Sequence, residues 1–266
     1  MAIKKLMSLD GRWALITGAT GKLGAVIADS LAEFNSNLIL VDRSEPELQE
    51  LRSSLIQRWG VKVICMPCDL ELSDQRVELI KKVKSLNSGL NVLINNAAFV
   101  GASDLQGWAL PFEDQTVDTW RRALEVNLTA VFELCQGFTP ILRAAEGANI
   151  INIASIYGMY GPDWSLYEGT SMSNPAAYGA SKGGVIQLSR WLSTTIAPQI
   201  RVNSISPGGI LRGQPESFIK RYKARTPLGR LATEEDFRGA ILYLATDLSK
   251  YVTGQNLSVD GGWGAW

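Results

Sequence analysis

Tyr178 and Lys182 stand four residues apart in the run Tyr178-Gly-Ala-Ser-Lys182. On a helix, positions i and i+4 share a face, so the phenol and the ammonium point the same way. A free tyrosine is a poor base at neutral pH because its pKa is about 10. A neighbouring ammonium favours the phenolate and lowers that value. Ser155 closes an apolar run over residues 149–154 that reads as a strand, and from there it can hydrogen-bond the same substrate oxygen. Together these groups could move a proton at an alcohol or carbonyl oxygen. The 266-residue chain contains no histidine. That excludes a Ser-His-Asp triad, a histidine base and a histidine metal site, and no metal is expected.

Proton transfer of this kind pairs with hydride transfer when a nucleotide cofactor is at hand, and the N-terminal stretch has the form of a nucleotide site. Trp13–Thr17 is a short apolar run bounded by Gly11 and Gly18, which reads as a buried strand. From Leu23 the period changes, and Leu23, Val26, Ile27, Leu31 and Phe34 lie on one face of a helix. Gly18, Gly21 and Gly24 lie between. A strand, a glycine turn and a helix start bring free backbone N–H groups and the positive end of the helix dipole to one place, where a phosphate binds. A second strand over residues 38–41 ends at Asp42, whose carboxylate can accept both ribose hydroxyls of an adenosine. An acid there repels a 2′-phosphate, which predicts NAD over NADP; Arg43 and Lys22 are the groups that could bind that phosphate instead.

The elements that must position these groups follow in order. Glu45–Trp59 is helical, with Gly60 as its stop. Strands are expected over 61–66, 91–95, 149–154, 201–205 and Asn256–Val259. Helices are expected from a Ser73 cap to about 86, from Thr116 to 134, around Tyr178 to Leu188, over 216–223 and over 234–246. Strands alternating with helices imply parallel crossovers. The expectation is one α/β domain over residues 1–266: a single doubly wound Rossmann-type parallel sheet with helices on both faces. Ligands in such sheets sit at the carboxyl ends of the strands. That rule gathers Gly18, Asp42, Asp69, Asn95, Ser155 and Pro207 on one rim.

Twenty-six basic residues balance twenty-six acidic ones, so no net field recommends nucleic acid or a membrane as partner. No apolar h-region and no apolar run near 18 residues is visible, so a cytoplasmic protein is expected. Cys65, Cys68 and Cys135 read as free thiols, because the Cys65-Met-Pro-Cys68 spacing ends a β-rich run and has no second ligand pair.

From about Gly11 onward the chain resembles the short, single-domain branch of the short-chain dehydrogenases/reductases. The resemblance rests on the glycine turn, Asp69, Asn95-Asn96-Ala97-Ala98, Asn127, Ser155, Tyr178 with Lys182, Pro207-Gly208 and the ending Val259-Asp260-Gly261-Gly262. It implies that Tyr178 is the general acid/base and that Ser155 steadies the reacting oxygen. It also implies that Lys182 binds the nicotinamide ribose and that Asn127 holds a water linking Lys182 to solvent. Cofactor contacts would come from Gly18, Thr20, Lys22 and Leu23, from Asp42, from Asp69 and Leu70 at the adenine, and from Asn95 and Ala97. Tyr178, Lys182, Pro207, Gly208 and Ile210 would complete them. Homodimers or homotetramers, paired through the apolar face of the 116–134 helix, are the family's habit.

Three departures stand out. The glycine turn reads GxxGxxG, with Lys22 where a glycine is usual, as in the longer sugar-nucleotide-modifying branch. The interval from Ser155 to Tyr178 is long, and Ser165 lies at the usual distance, leaving it as a rival for the serine role. Arg212 occupies the place of a threonine that contacts the carboxamide. The long loop holds Tyr157, Tyr160, Trp164 and Tyr167, and Lys220, Arg221, Lys223 and Arg225 follow later. Aromatic faces beside cations suit a polar, anionic substrate such as a sugar phosphate or nucleotide sugar; Tyr157, Trp164 and Arg212 are the candidate contacts beside Ser155 and Tyr178. The loop and the later PGGxxxGQP stretch also resemble oxidoreductases of bacterial surface-sugar and flagellin-modification pathways. The expected function is therefore NAD(P)-dependent oxidation or reduction at a secondary alcohol or ketone. A sugar epimerase or dehydratase that retains its NAD is the enzymatic alternative, and a catalytically silent NAD-binding protein is the non-enzymatic one.

Overall fold

The computed structural model describes residues 2–86, 88–101 and 103–266. Seven strands form one parallel sheet: β1 (Trp13–Thr17), β2 (Asn37–Asp42), β3 (Val63–Pro67), β4 (Val92–Asn95), β5 (Asn149–Ile153), β6 (Arg201–Pro207) and β7 (Asn256–Val259). Their order is β3-β2-β1-β4-β5-β6-β7. The chain steps outward from β1 to β3, then crosses back to β4 on the other side of β1. The switch of direction lies between β1 and β4, where doubly wound sheets bind their ligands.

Side-chain alternation divides the core. Leu15, Ile39, Leu93 and Ile150 face one layer, with Leu79 and Val83 of α4 (Ser73–Ser85), Phe138 of α6 (Ala130–Arg143) and Val185 of α7 (Ala176–Thr195). Ile16, Leu40, Ile94 and Ile151 face the other, with Ile27 and Leu31 of α2 (Lys22–Glu33), Leu48 of α3 (Glu45–Trp59) and Ile241 of α9 (Arg238–Ala245). Strands buried on both faces explain the near-continuous apolar runs. The fold is the expected Rossmann-type sheet with helices on both faces. A short helix, α1 (Ile3–Met7), precedes it.

Several local expectations are corrected. The helix expected from Thr116 to 134 is not uniform. Thr116 does cap α5 (Val117–Leu124), accepting from the Thr119 amide. Then Glu125–Thr129 widens into a π turn before α6, with the Ala130 amide bonded to the Glu125 carbonyl. Ser73 is the first residue of α4 and not its cap; Leu72 holds the cap position without a side-chain bond. The segment 234–246 starts as a 3-10 turn, Glu234–Phe237, closed by a capping box from Thr233 and Asp236. The long interval between Ser155 and α7 contains two 3-10 turns, Ile156–Gly158 and Trp164–Leu166. It packs with α8 (Glu216–Arg225) and Trp263 as a separate aromatic cluster.

Candidate active site

The carboxyl ends of the strands open into a cleft of about 1140 Å³. Its first wall is the turn after β1. Gly18 has φ +63°, and a Cβ there would stand 2.8 Å from the Ala97 Cα. A Cβ on Gly24 would run into the Gly18 carbonyl, so α2 reaches the sheet only because that residue has no side chain. The turn is pinned from β4: Asn96 donates from Nδ2 to the carbonyls of Thr17 and Gly18, both at 3.0 Å, while the Thr17 hydroxyl accepts from the amides of Asn96 and Ala97. Gly21 at the N-cap of α2 has no side chain to accept from the first-turn amides. The cradle therefore suits a pyrophosphate. Thr20, Lys22, Leu23, Asp69, Leu70 and Ala97 line it, and so do Asp42 and the exposed Arg43.

Asp42 is itself engaged. Its Oδ2 accepts from the Thr20 amide and hydroxyl at 3.0 and 2.8 Å, and its Oδ1 accepts from the Arg43 amide at 2.8 Å. The loop after β3 is anchored by Arg76, a buried cation paired with Glu125 and Glu133 that also donates to the Leu70 carbonyl at 2.6 Å. Through these bonds one buried guanidinium joins the Leu70 end to the π turn and α6. Arg122 pairs bidentately with Glu71 and lies over Phe99. Asn95 departs from its expected place: its side chain turns into the core against Asn152 and Cys135, and it does not line the cleft.

The far wall carries Ser155, Tyr178, Lys182, Pro207, Gly208, Ile210 and Arg212. Ser155 lies two residues beyond β5, where its hydroxyl accepts from the Tyr157 amide at 3.2 Å, and it lines the cleft with Tyr178. Burial raises the Tyr178 pKa; the nearby Ser155 hydroxyl and the Arg212 charge oppose that rise, and the neighbouring Tyr167 adds to it. Lys182 is buried one turn further along α7, and burial lowers its pKa to about 8. Its ammonium donates to the Ile153 carbonyl at 2.7 Å and stands 5.9 Å from the Tyr178 ring centre. Asn127 sits in the π turn. Its Oδ1 accepts from the Phe99 amide at 2.7 Å, and its Nδ2 donates to the Phe99 carbonyl and to the Ser181 hydroxyl. Ser181 in turn donates to the Tyr178 carbonyl. Asn127 thus ties the loop after β4 to α7.

The remaining candidates are placed elsewhere. Ser165 is exposed and donates to Asp163, outside the cleft lining. Tyr157 and Trp164 do not line the cleft either: the Tyr157 hydroxyl pairs with that of Tyr167 at 2.7 Å, and Trp164 packs at a tilt against Tyr167. Arg221 and Arg225 are engaged by the Leu166 and Glu168 carbonyls and by Asp163. Of the aromatic and basic residues expected over the substrate, Arg212 lines the cleft. Sequence reasoning missed Asn96, Phe99, Met172 and Ser181; the Asn95-Asn96 doublet was the available signal for the first. The cysteines are free, and burial raises Cys65, takes Cys68 to about 11 and takes Cys135 to about 12, which leaves the CxxC pair without thiolate character. Among the described residues no group of His, Cys, Asp and Glu could hold a metal ion, and no helix is long and apolar enough to cross a membrane.

Residues 18–264 match the family profile described as enoyl-(acyl carrier protein) reductase. A tropinone reductase homolog from Arabidopsis thaliana is 32% identical, over 98% of this chain and 96% of its own length. Post-translational flagellin modification protein A from Campylobacter coli is 27% identical, over 96% of this chain and 99% of its own. Among solved structures, a gluconate 5-dehydrogenase from Burkholderia cenocepacia in complex with NADP and tartrate superposes with a TM-score of 0.88 at 26% identity, covering 100% of both chains.

Proposed function

The chain belongs to the short-chain dehydrogenase/reductase superfamily and is a nicotinamide-dependent oxidoreductase, and on that premise we propose that it interconverts a secondary alcohol and a ketone with Tyr178 as general acid/base. The observation that carries this reading is that Ser155, Tyr178 and Lys182 line the same cleft as the glycine cradle, with the Lys182 ammonium 5.9 Å from the Tyr178 ring centre. A bound nicotinamide supplies the hydride acceptor or donor. Ser155 holds the substrate oxygen. Tyr178 gives it a proton in reduction and takes one in oxidation. Lys182 brings an ammonium beneath the phenol and a donor for the ribose, and Asn127 fixes the helix that carries both.

NAD is the proposed cofactor, because an acid at the end of the second strand repels a 2′-phosphate, and Asp42 ends β2. The substrate is proposed to be polar, such as a sugar phosphate or nucleotide sugar; the likeness to the flagellin modification protein supports it. Val117, Trp120 and Phe132 leave apolar surface on α5 and α6, which supports a homodimer or homotetramer. Three free thiols suit the reducing cytoplasm.

The test is NADH and NADPH titration by fluorescence, then turnover of sugar phosphates, nucleotide sugars and simple alcohols. Tyr178→Phe should lower kcat by about 10²–10⁴-fold, with a far smaller effect on the NADH Kd. NAD that survives desalting with no net NADH formed would move the protein to the epimerase class. Binding without turnover of any substrate would make it a silent binder.

A further inference from the structure

Cations line both ends of the cleft, and most have partners or neighbours that explain them. Lys22 and Arg43 follow β1 and β2, beside the glycine cradle. Arg122 is committed to Glu71. Lys182 is buried with its ammonium on the Ile153 carbonyl. Arg212 follows β6, the strand beside the one that carries Ser155. Its backbone is set by a compact turn: the Arg212 amide donates to the Gln214 side chain at 2.8 Å, and Gln214 donates back to the Ile210 carbonyl at 2.7 Å. Its Nε donates to Glu234 at 3.0 Å. Neither Nη group has a partner among the described residues. A guanidinium gripped by one edge is a preorganised fork for a planar or tetrahedral anion. Its charge reaches the catalytic phenol, where it favours the phenolate.

The wall after β4 has the opposite character. Asp104 and Gln106 line the cleft there, are exposed, and have side chains without a partner among the described residues. A carboxylate and an amide on that wall accept hydroxyl protons, and the carboxylate repels an anion.

We propose that Arg212 is an anion subsite beside Tyr178, taking the carboxylate or phosphate of a small polyhydroxylated acid whose hydroxyl groups face Asp104 and Gln106. This rests on the oxidoreductase reading above, and it adds that the acid group lies on the β6 side of the reacting carbon. Arg212 sets substrate specificity, and Glu234 positions Arg212.

Three six-carbon probes separate the possibilities: D-gluconate, sorbitol 6-phosphate and neutral sorbitol, each titrated calorimetrically into the NADH-saturated enzyme. At least one acid should bind tighter than sorbitol by about tenfold or more, the worth of a charge-assisted hydrogen bond. Preference for gluconate identifies a carboxylate subsite, and preference for sorbitol 6-phosphate a phosphate subsite. Arg212→Gln should erase the advantage of the acid and leave sorbitol, the NADH Kd and Tm unchanged. Arg212→Lys should keep part of it, because a point charge remains without the fork. Equal binding of acids and sorbitol, no binding of any probe, or an acid preference that survives in Arg212→Gln overturns the proposal. So does a parallel loss of NADH affinity, which would make Arg212 a cofactor contact. Failure of the unaltered protein to bind NADH would instead sink the oxidoreductase reading itself.

Discussion

The cofactor end of the cleft is made of backbone. Gly18 and Gly24 let β1, α2 and β4 approach to contact, and Asn96 and Thr17 tie them with bonds to main-chain atoms. The opposite wall, with Ser155, Tyr178 and Arg212, is backed through Met172 by side chains drawn from distant segments. Tyr157, Tyr167, Phe218, Tyr222 and Trp263 form their own cluster beside the sheet, apart from the two layers of the core. A backbone cradle admits one shape and accepts one ligand class. A side-chain cluster can be repacked residue by residue while the sheet beneath stays in place. The two ends should therefore fail independently, and substitutions at each can break that comparison or sharpen it.

The largest effect is expected at Trp263. The side chain is 1% exposed, stacks on Tyr222 at 6.1 Å, and has the Arg225 guanidinium 4.4 Å above its ring. Trp263→Ala should cost about 3–5 kcal/mol of local packing. Differential scanning fluorimetry should show a lower Tm, and substrate KM should rise as α8 loses its support. The NADH Kd should stay within about twofold. A parallel collapse of NADH binding would mean that the two ends share one cooperative unit.

Gly24→Ala is the mirror experiment and the next in size. The new Cβ would meet the Gly18 carbonyl, backbone on both sides. Forcing α2 away costs about 1–3 kcal/mol and moves the first-turn amides off the pyrophosphate. NADH affinity should fall by about tenfold or more, while the near-ultraviolet circular dichroism of the aromatic cluster is unchanged. Gly161→Ala, where a Cβ meets open space, is the control and should alter neither.

The same contrast governs what the sequence could reveal. β1, α3 and β7 have the boundaries that local pattern predicts, because apolar runs, Gly60 and the last turn are local signals. The glycine cradle is legible for the same reason: its residues lie within one short stretch. The π turn is not, because it depends on Asn127 bonding the backbone of Phe99 across 28 residues. Nor is the fate of Tyr157 and Trp164. Aromatic residues in a long loop look like a substrate lid until Trp263, far along the chain, proves to be the packing partner of Tyr157, and Tyr167 that of Trp164. Asn95 was expected at the rim by its position at a strand end, but alternation along β4 turns it inward to Asn152. Arg212 stands out as a departure from a pattern, and the structure then supplies what the sequence could not: a free fork held by Glu234.

The smallest expected effect tests how far the cofactor end reads chemistry in addition to shape. Both Asp42 oxygens already accept protein hydrogen bonds, from Thr20 and from the Arg43 amide. Two roles are therefore superimposed on one carboxylate, a brace for the turn and a charge against a 2′-phosphate. Asp42→Asn keeps an acceptor for the brace and removes the charge. If the charge discriminates, the ratio of NADPH to NADH dissociation constants should move toward NADPH by about tenfold, roughly 1.4 kcal/mol. Arg43, exposed at the same rim, would then be free to pair with the phosphate. Arg43→Ala in the Asp42→Asn background should reverse the gain. A ratio that does not move would mean that Asp42 only braces Thr20 and that cofactor choice, like the cradle around it, is set by backbone shape.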